Sequence, residues 1–139
     1  PALGGARREA AGFLVAGGIG FVVDAGVTML LTGLGAGAVA ARLPAIALAL
    51  LTTFAINRRY AFAPSGRVLA AELARYVAVS ATGAALNLVA YLAATALLAR
   101  AGLPAAPAAV LGVAVGTGVG MVANFIGYRG FAFAPSRAG

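Results

Sequence analysis

Four long apolar runs, separated by short segments that carry arginine, constrain the fold of this chain more than any other feature. The runs cover about residues 13–33, 40–57, 76–98 and 105–128. A helix of about 20 residues crosses the ~30 Å hydrocarbon core of a bilayer, because it rises 1.5 Å per residue. A helix also satisfies its own backbone hydrogen bonds in lipid. We therefore predict an all-α integral membrane protein with four transmembrane helices.

The composition excludes several other classes of protein. Of the 139 residues, 63% are hydrophobic and 9% are charged, whereas soluble domains carry about 25% charged residues. The chain has no Cys and no His, and its three acids, Glu9, Asp24 and Glu72, are far apart in sequence. We therefore expect no metal site, no cofactor and no catalytic role. The net charge of +7 comes from arginines between apolar runs rather than along a soluble face, so no nucleic-acid partner is expected.

The distribution of arginine predicts the orientation in the membrane. Counted over the predicted loops, eight of the ten cationic residues fall on one side of the membrane and two on the other. The eight are Arg7, Arg8, Arg58, Arg59, Arg67, Arg75, Arg129 and Arg137; the two are Arg42 and Arg100. By the positive-inside rule, both termini and the middle loop should lie in the cytoplasm. The expected location is the inner (cytoplasmic) membrane.

An internal repeat divides the chain into two similar halves. Alignment of the two Phe-Ala-Pro triplets, which end at Pro64 and Pro135, places Arg58 opposite Arg129. A separate shift places Asp24 opposite Asn87. We predict a single transmembrane domain over residues 1–139, with one repeat at about 13–64 and a second at about 76–135 that has about eight extra residues. Each repeat is a helical hairpin, so the two form a parallel repeat.

Small and polar residues form stripes at spacings of three and four, which place them on single helix faces. The small residues predict close helix packing, since small-xxx-small patterns let backbones approach. They are Gly20, Gly83, Gly112, Gly116 and Gly120. The polar members of the stripes have two readings, interhelical hydrogen bonding and ligand binding. They are Asp24, Thr28, Asn57, Asn87, Tyr91 and Asn124.

Asp24 and the arginines are the strongest candidates for a function. An acid at the bilayer centre costs ~2.5–3.5 kcal/mol even on lenient insertion scales. Since no Lys or Arg lies deep in a predicted span, Asp24 is expected to be protonated or to face a wet cavity. Arg58, Arg59 and Arg129 would be topology signals and lipid anchors, or would hold a particular phosphate. The aromatic residues beside them suggest an interfacial belt; they are Tyr60, Phe62, Phe131 and Phe133.

Four motifs, taken in order, resemble the GtrA-like family of small four-helix membrane proteins. They are Phe13-Leu-Val-Ala-Gly-Gly-Ile-Gly with Asp24, then Phe54-Ala-Ile-Asn-Arg-Arg-Tyr-Ala-Phe, then Asn87, and finally Asn124-Phe-Ile-Gly-Tyr-Arg-Gly-Phe-Ala-Phe. The resemblance covers about residues 10–135. One departure is Tyr128, because the family usually has Asn before the second Arg.

The resemblance implies a flippase that moves a polyprenyl-phosphate-linked monosaccharide to the outer leaflet for modification of cell-surface polysaccharide, beside membrane glycosyltransferases. The arginines would then hold the lipid phosphate, and the polar stripes would meet the sugar. A homo-oligomer is expected, because four helices enclose little volume. Two alternatives stay open: a non-transporting scaffold that recruits a glycosyltransferase, and a small multidrug-type cation exporter. The exporter is disfavoured because Asp24 has Gly and Thr rather than aromatic neighbours on its stripe.

Overall fold

The fold is described from a computed structural model. It covers residues 2–136, without the side chains at positions 2, 3, 38, 39, 42, 106 and 109. Two of the arginines used to predict orientation, the side chain of Arg42 and the whole of Arg137, therefore lie outside the described residues.

Four α-helices make up the architecture, and residues 2–136 contain no strand. The helices are α1 (Ala2–Gly33), α2 (Ala38–Ile56), α3 (Leu69–Arg100) and α4 (Ala105–Gly127). Three segments are long and apolar enough to cross a membrane: Gly4–Gly33, Leu69–Arg100 and Val110–Ala132. Helix α2, with 19 residues, is shorter than these three segments, and a fourth crossing by this helix stays a prediction.

The chain divides into two compact units, Pro1–Gly66 and Arg67–Gly139. In the first unit α1 packs against α2, and in the second α3 packs against α4. Both hairpins turn through a glycine in the left-handed region, Gly35 at φ 88° and Gly102 at φ 85°. Each glycine forms a Schellman cap, for example with Ala36 N–H donating to the carbonyl of Leu31 at 2.9 Å. These caps end the first helix of each hairpin and start the reversal.

Each hairpin ends in a single π-helical turn. The first π-turn is Asn57–Ala61 and the second π-turn is Tyr128–Ala132. In each, a backbone N–H donates to the carbonyl five residues earlier, from Phe62 to Asn57 and from Phe133 to Tyr128, both at 2.8 Å. Residues 58–61 belong to the middle loop predicted between the second and third apolar runs, and they instead continue the helix with a wider turn.

The first helix of each hairpin, α1 and α3, begins earlier than its apolar run predicted. The middle loop predicted between the second and third apolar runs, residues 58–75, is also wrong from Leu69 onwards, because α3 starts there and carries Glu72 and Arg75 in its first two turns. Helices α1 and α3 each have 32 residues, which corresponds to about 48 Å. That exceeds a ~30 Å hydrocarbon core, so each helix has a polar extension at its N-terminal end as well as an apolar part.

Between the aligned packing positions and the hairpin turn, each helix of the second hairpin is one helical turn longer than its counterpart in the first. Gly83 precedes the end of α3 by 17 residues, and its counterpart Gly20 precedes the end of α1 by 13. Similarly, α4 begins 15 residues before Gly120, whereas α2 begins 11 residues before Ala49. The extra residues of the second repeat are therefore shared equally between its two helices.

Small residues fill the helix–helix contacts, and large aliphatic residues lie outside. Ala16, Ala41 and Ala45 are completely buried. About thirty large hydrophobic side chains are exposed, as a lipid-facing surface requires and a soluble one rarely tolerates. The expected aromatic belt is wrong for Phe62 and Phe133, because both pack inside their own units.

Candidate functional site

The first π-turn places one amide inside the unit and two arginines towards its surface. Asn57 is only 2% exposed. Arg58 is partly buried, and Arg59 is exposed, with its guanidinium carbon 5.8 Å from the centre of the Tyr60 ring. The turn lies close to α1, since a Cβ on Gly12 would come within 3.0 Å of the Cα of Ala61. The structure thus brings Asn57, Arg58 and Arg59 together at one end of the first hairpin.

The second π-turn presents a single arginine, Arg129, at the surface. Two other arginines hold the turn rather than lie free in a loop. Arg75 donates from Nε to the carbonyl of Phe131 at 2.9 Å, and its guanidinium carbon lies 3.6 Å from the centre of the Phe131 ring. Arg67 donates to the carbonyl of Ala134. Arg67 and Arg75, counted in the sequence only as topology signals, are therefore structural supports of this turn.

Tyr128, the departure from the family pattern, belongs to an aromatic cluster. Its ring stacks on that of Tyr76 with centroids 4.1 Å apart and planes 9° apart, and Phe133 meets Tyr76 edge-on at 5.8 Å. The Ser80 hydroxyl donates to the carbonyl of Tyr76 at 2.9 Å. The Tyr128 hydroxyl oxygen lies 2.7 Å from Ser80 Oγ, so the two hydroxyl groups are hydrogen-bonded to each other.

The residues of the first repeat that correspond to Tyr76 and Ser80 explain why a tyrosine such as Tyr128 fits only in the second repeat. The counterparts of Tyr76 and Ser80 are Phe13 and Gly17, which offer no hydroxyl partner. Asn57 therefore occupies the first unit at the place where Tyr128 occupies the second. The two π-turns are alike in backbone and differ in their buried polar group.

Further along the second hairpin, large polar side chains of α3 lie over the glycines of α4. A Cβ on Gly116 would come within 2.5 Å of Asn87 Oδ1, and a Cβ on Gly112 would come within 3.2 Å of the Tyr91 ring. In the reverse sense, the side chain of Asn124 on α4 lies over Gly83 on α3. Gly120 lies against the Gly83 carbonyl and Asn87. The small residues thus provide the room that the polar residues occupy.

A crevice of about 440 Å³ opens in the first unit and one of about 360 Å³ in the second. The second crevice contains Asn87 and Tyr91 together with Thr117, an exposed residue of α4. Thr117 was not among the predicted site residues, because it lies outside the repeated stripes. Hydroxyl and amide groups therefore lie together in the second crevice, whose other lining residues are apolar.

In the first hairpin the corresponding positions on α1 are held by Asp24 and Thr28. Asp24 and Thr28 are partly buried, one turn apart on α1. Nearby, Gly20 lies against the methyl group of Thr53. Asp24 is nine residues, or about 14 Å, from the end of α1, which is close to half of a ~30 Å core.

The predicted residues fall at two depths rather than in one cluster. Gly12 marks the level of the first π-turn, and Asp24 follows it by twelve residues, or about 18 Å along the helix. In the second unit Gly127, which begins the other turn, packs on Val79, and Asn87 lies about 12 Å further along α3. Each unit thus has a cationic level at its π-turn and a polar level further along its first helix.

The sequence reasoning missed Glu72, which is completely buried in the second unit. Glu72 lies on α3 one turn before Tyr76, and Glu9 lies on α1 one turn before Phe13. The shift that aligns Asp24 with Asn87 also aligns these two acids. That match was a signal that could have identified them as a repeated, interior feature. No group of three His, Cys, Asp or Glu side chains suited to a metal occurs among the described residues.

One protein family matches nearly all of this architecture. The family described as GtrA/DPMS, transmembrane domain, matches residues 12–133, which include both hairpins and both π-turns. No curated protein matches the chain.

Proposed function

Since this chain belongs to the GtrA/DPMS transmembrane family, we propose that it is a flippase for a polyprenyl-phosphate-linked monosaccharide. It would move this lipid across the cytoplasmic membrane to supply the modification of cell-surface polysaccharide. The family match over residues 12–133 carries the proposal. The two depths of polar residues support it, because a lipid-linked sugar has a charged phosphate and a hydroxyl-rich head that both need partners during transfer.

The cationic level would hold the phosphate. Arg58 and Arg59 share the first π-turn and Arg129 lies in the second. Guanidinium groups bind phosphate oxygens in bidentate geometry and keep their charge in any environment. π-Turns are frequent at functional sites. Asn57, buried beneath the arginines, would fix the position of the first turn.

The polar level would meet the sugar. Asp24 and Thr28 in the first unit, and Asn87 and Tyr91 in the second, offer hydrogen-bond donors and acceptors where water is scarce. Asn124 would extend this set on α4. A sugar hydroxyl transferred into lipid without such partners costs several kcal/mol, on the order of 2–7. These residues would lower that cost along the path, while the glycine faces keep the helices close.

Transfer by the purified protein alone tests the proposal. Proteoliposomes would hold only this protein and a polyprenyl-phosphate sugar, and an external sugar-modifying reagent would follow movement between leaflets. We expect transfer well above that of protein-free vesicles and its loss in Asp24→Ala. Asp24→Asn is the matched control, since Asn occupies the counterpart position 87 and keeps the hydrogen-bonding capacity. Native rates in Asp24→Ala would refute the role of the polar level.

Binding of the phosphate has a separate test. The double variant Arg58→Gln and Arg59→Gln should retain less polyprenyl-phosphate lipid through purification. Arg100→Gln, at the C-terminal end of α3, is the control for loss of positive charge. Equal retention in all three proteins would remove the arginines of the first π-turn from the site.

A wild-type protein that transfers none of several sugars would refute the flippase. The scaffold that recruits a glycosyltransferase would then be the better account, and co-purification with such an enzyme would be the next experiment. A homo-oligomer is part of the proposal, because one copy has only four helices to enclose a path. Mass measurement in lipid nanodiscs checks it, and a monomer would contradict it.

A further inference from the structure

The crevice of about 440 Å³ in the first unit is an apolar groove, which runs along α1 next to the end of α2 and the first π-turn. Val15, Ile19 and Ile56 form its walls, and Arg8 and Tyr60 also line it. From Arg8 to Ile19 there are eleven residues, which correspond to about 17 Å along the helix. The groove is therefore long, narrow and apolar, with cationic chemistry confined to part of its length.

The arginine lies at the end of the groove nearest the π-turn. Gly12 packs on Ala61 of that turn, so the turn lies at the level of the N-terminal half of α1. Arg8 is one helical turn before Gly12, and Tyr60 is in the π-turn itself. The exposed Arg59 is beside Tyr60. Two guanidinium groups thus lie near one end, and the groove continues away from them towards the membrane interior.

This arrangement matches an amphiphile with an anionic group at one end of a single apolar chain. We propose that the groove binds the phosphate-proximal isoprene units of a polyprenyl phosphate, with Arg8 contacting the phosphate. The inference rests on the proposed function for the identity of the lipid, and adds a binding site for its chain. The volume lies at the low end of the ~300–1,000 Å³ typical of small-molecule sites, which suits one chain segment better than a two-chain phospholipid.

The groove would select its lipid by fit rather than by hydrophobicity. A prenyl chain is already in an apolar solvent, so entry into an apolar groove removes no surface from water. Association within a bilayer instead depends on close van der Waals packing. Ala11, which lies along the groove, has only a methyl side chain and so leaves room for the methyl branches of an isoprene chain. A bulky residue in the groove should therefore displace the chain even though it adds apolar surface.

Two matched pairs of variants test the groove in the full chain in nanodiscs. Val15→Trp places a large ring in the groove, and Leu14→Trp places it on the adjacent position outside the lining; the parent side chains are 58% and 56% exposed. Arg8→Gln removes the groove cation, and Arg7→Gln makes the same charge change one residue away. Neither control residue lines the groove.

The readout is photo-cross-linking with a polyprenyl phosphate that carries a diazirine on its second isoprene unit. Mass spectrometry of the labelled peptides should place the label on the segment that contains Val15 and Ile19. We expect labelling to fall at least fivefold in Val15→Trp and Arg8→Gln, and to stay within twofold of wild type in Leu14→Trp and Arg7→Gln. Unlabelled polyprenyl phosphate should compete, whereas phosphatidylglycerol should not.

Three outcomes would overturn the inference: label distributed elsewhere, equal losses within each pair, or competition by phosphatidylglycerol as strong as by the prenyl lipid. The last would make the groove a general phospholipid site. The transfer assay on wild type distinguishes these failures from failure of the flippase. A protein that transfers sugar lipid but gives no groove label refutes the groove alone, and one that gives the label without transfer refutes the flippase alone.

Discussion

Two glycines of α4, Gly116 and Gly118, differ in their surroundings and allow a sharp test of how the second hairpin is held together. A Cβ on Gly116 would lie 2.5 Å from Asn87 Oδ1 and 2.7 Å from the backbone carbonyl oxygen of Asn87. A side-chain amide can move aside, but the backbone of α3 cannot move without separating the helices. A Cβ on Gly118, two residues away, would meet nothing within 4 Å. Replacement of each by Ala therefore makes one chemical change in two environments.

The expected magnitudes follow from two opposing effects. Ala is favoured over Gly in a helix interior by about 1 kcal/mol, so Gly118→Ala should be neutral or should stabilise by up to that amount. Gly116→Ala receives the same gain, but overpacking of a close contact costs about 1–3 kcal/mol. The propensity gain cancels in the comparison. Gly116→Ala should thus unfold more easily than Gly118→Ala by about 1–3 kcal/mol.

Equilibrium unfolding in mixed micelles, with a denaturing detergent as the titrant, measures this difference. Three of the four tyrosines, Tyr76, Tyr91 and Tyr128, lie in the second unit, and the chain has no Trp. Tyrosine fluorescence therefore reports mainly on the hairpin that contains both glycines, and far-UV circular dichroism follows helix loss. If Gly116→Ala is as stable as Gly118→Ala, then Asn87 does not lie over Gly116 and the packing described for α3 and α4 is wrong.

Two further predictions concern the hairpin turn and the aromatic cluster. Gly35→Ala should lower the free energy of unfolding by about 1–2 kcal/mol, because φ is 88° there; Gly33→Ala, helical and without neighbours within 4 Å, is its control, and equal thermal stability of the two would contradict the Schellman cap. Tyr128→Phe should cost about 1 kcal/mol, the net value of its bond to Ser80. The double variant with Ser80→Ala should be no less stable than Ser80→Ala alone, and full additivity in chemical unfolding would show that the bond is not made.

The helix faces could be predicted from sequence because lipid imposes a simple rule. In each apolar run the small and polar residues recur every three or four positions, so Gly112, Gly116 and Gly120 had to share a face whatever their partners. Turns were equally visible, since Gly35 and Gly102 interrupt long apolar runs. Both signals are local, and local signals are what a single sequence carries most reliably.

The polar ends of the helices were less predictable, because charged residues there are ambiguous. The segment Leu69–Arg75 contains Glu72 and Arg75 and follows a Pro-Ser-Gly stretch, which is typical of a loop. The contacts of Arg75 with Phe131 stabilise it as helix instead. These contacts join residues 56 positions apart in sequence. Hydrophobic periodicity contains no information about such pairs.

The candidate site was predictable in its parts and not in its arrangement. Asp24 was identifiable as an acid within an apolar run, and the arginines as cations at run ends. The π-turns were not, since an extra residue in a helical turn leaves no sequence pattern of its own. In the sequence Tyr128 is only an exception to the family pattern. The structural reason for it is the contact with Tyr76 and Ser80 on α3, which differ from their counterparts in the first repeat.

The extra turn in each helix of the second hairpin shows how this architecture can change length. Four residues rotate a helix by about 400°, only 40° past a full turn, so the packed face keeps its direction when the insertion is paired. A single insertion in one helix would instead leave its neighbour without a partner for about 6 Å. Hairpin length is therefore adjustable in steps of about 6 Å, the scale on which membranes of different compartments and compositions vary in thickness. A version of this protein adapted to a thicker bilayer should carry tetrapeptide additions on both sides of the turn at Gly35 or Gly102, and none in the turn itself.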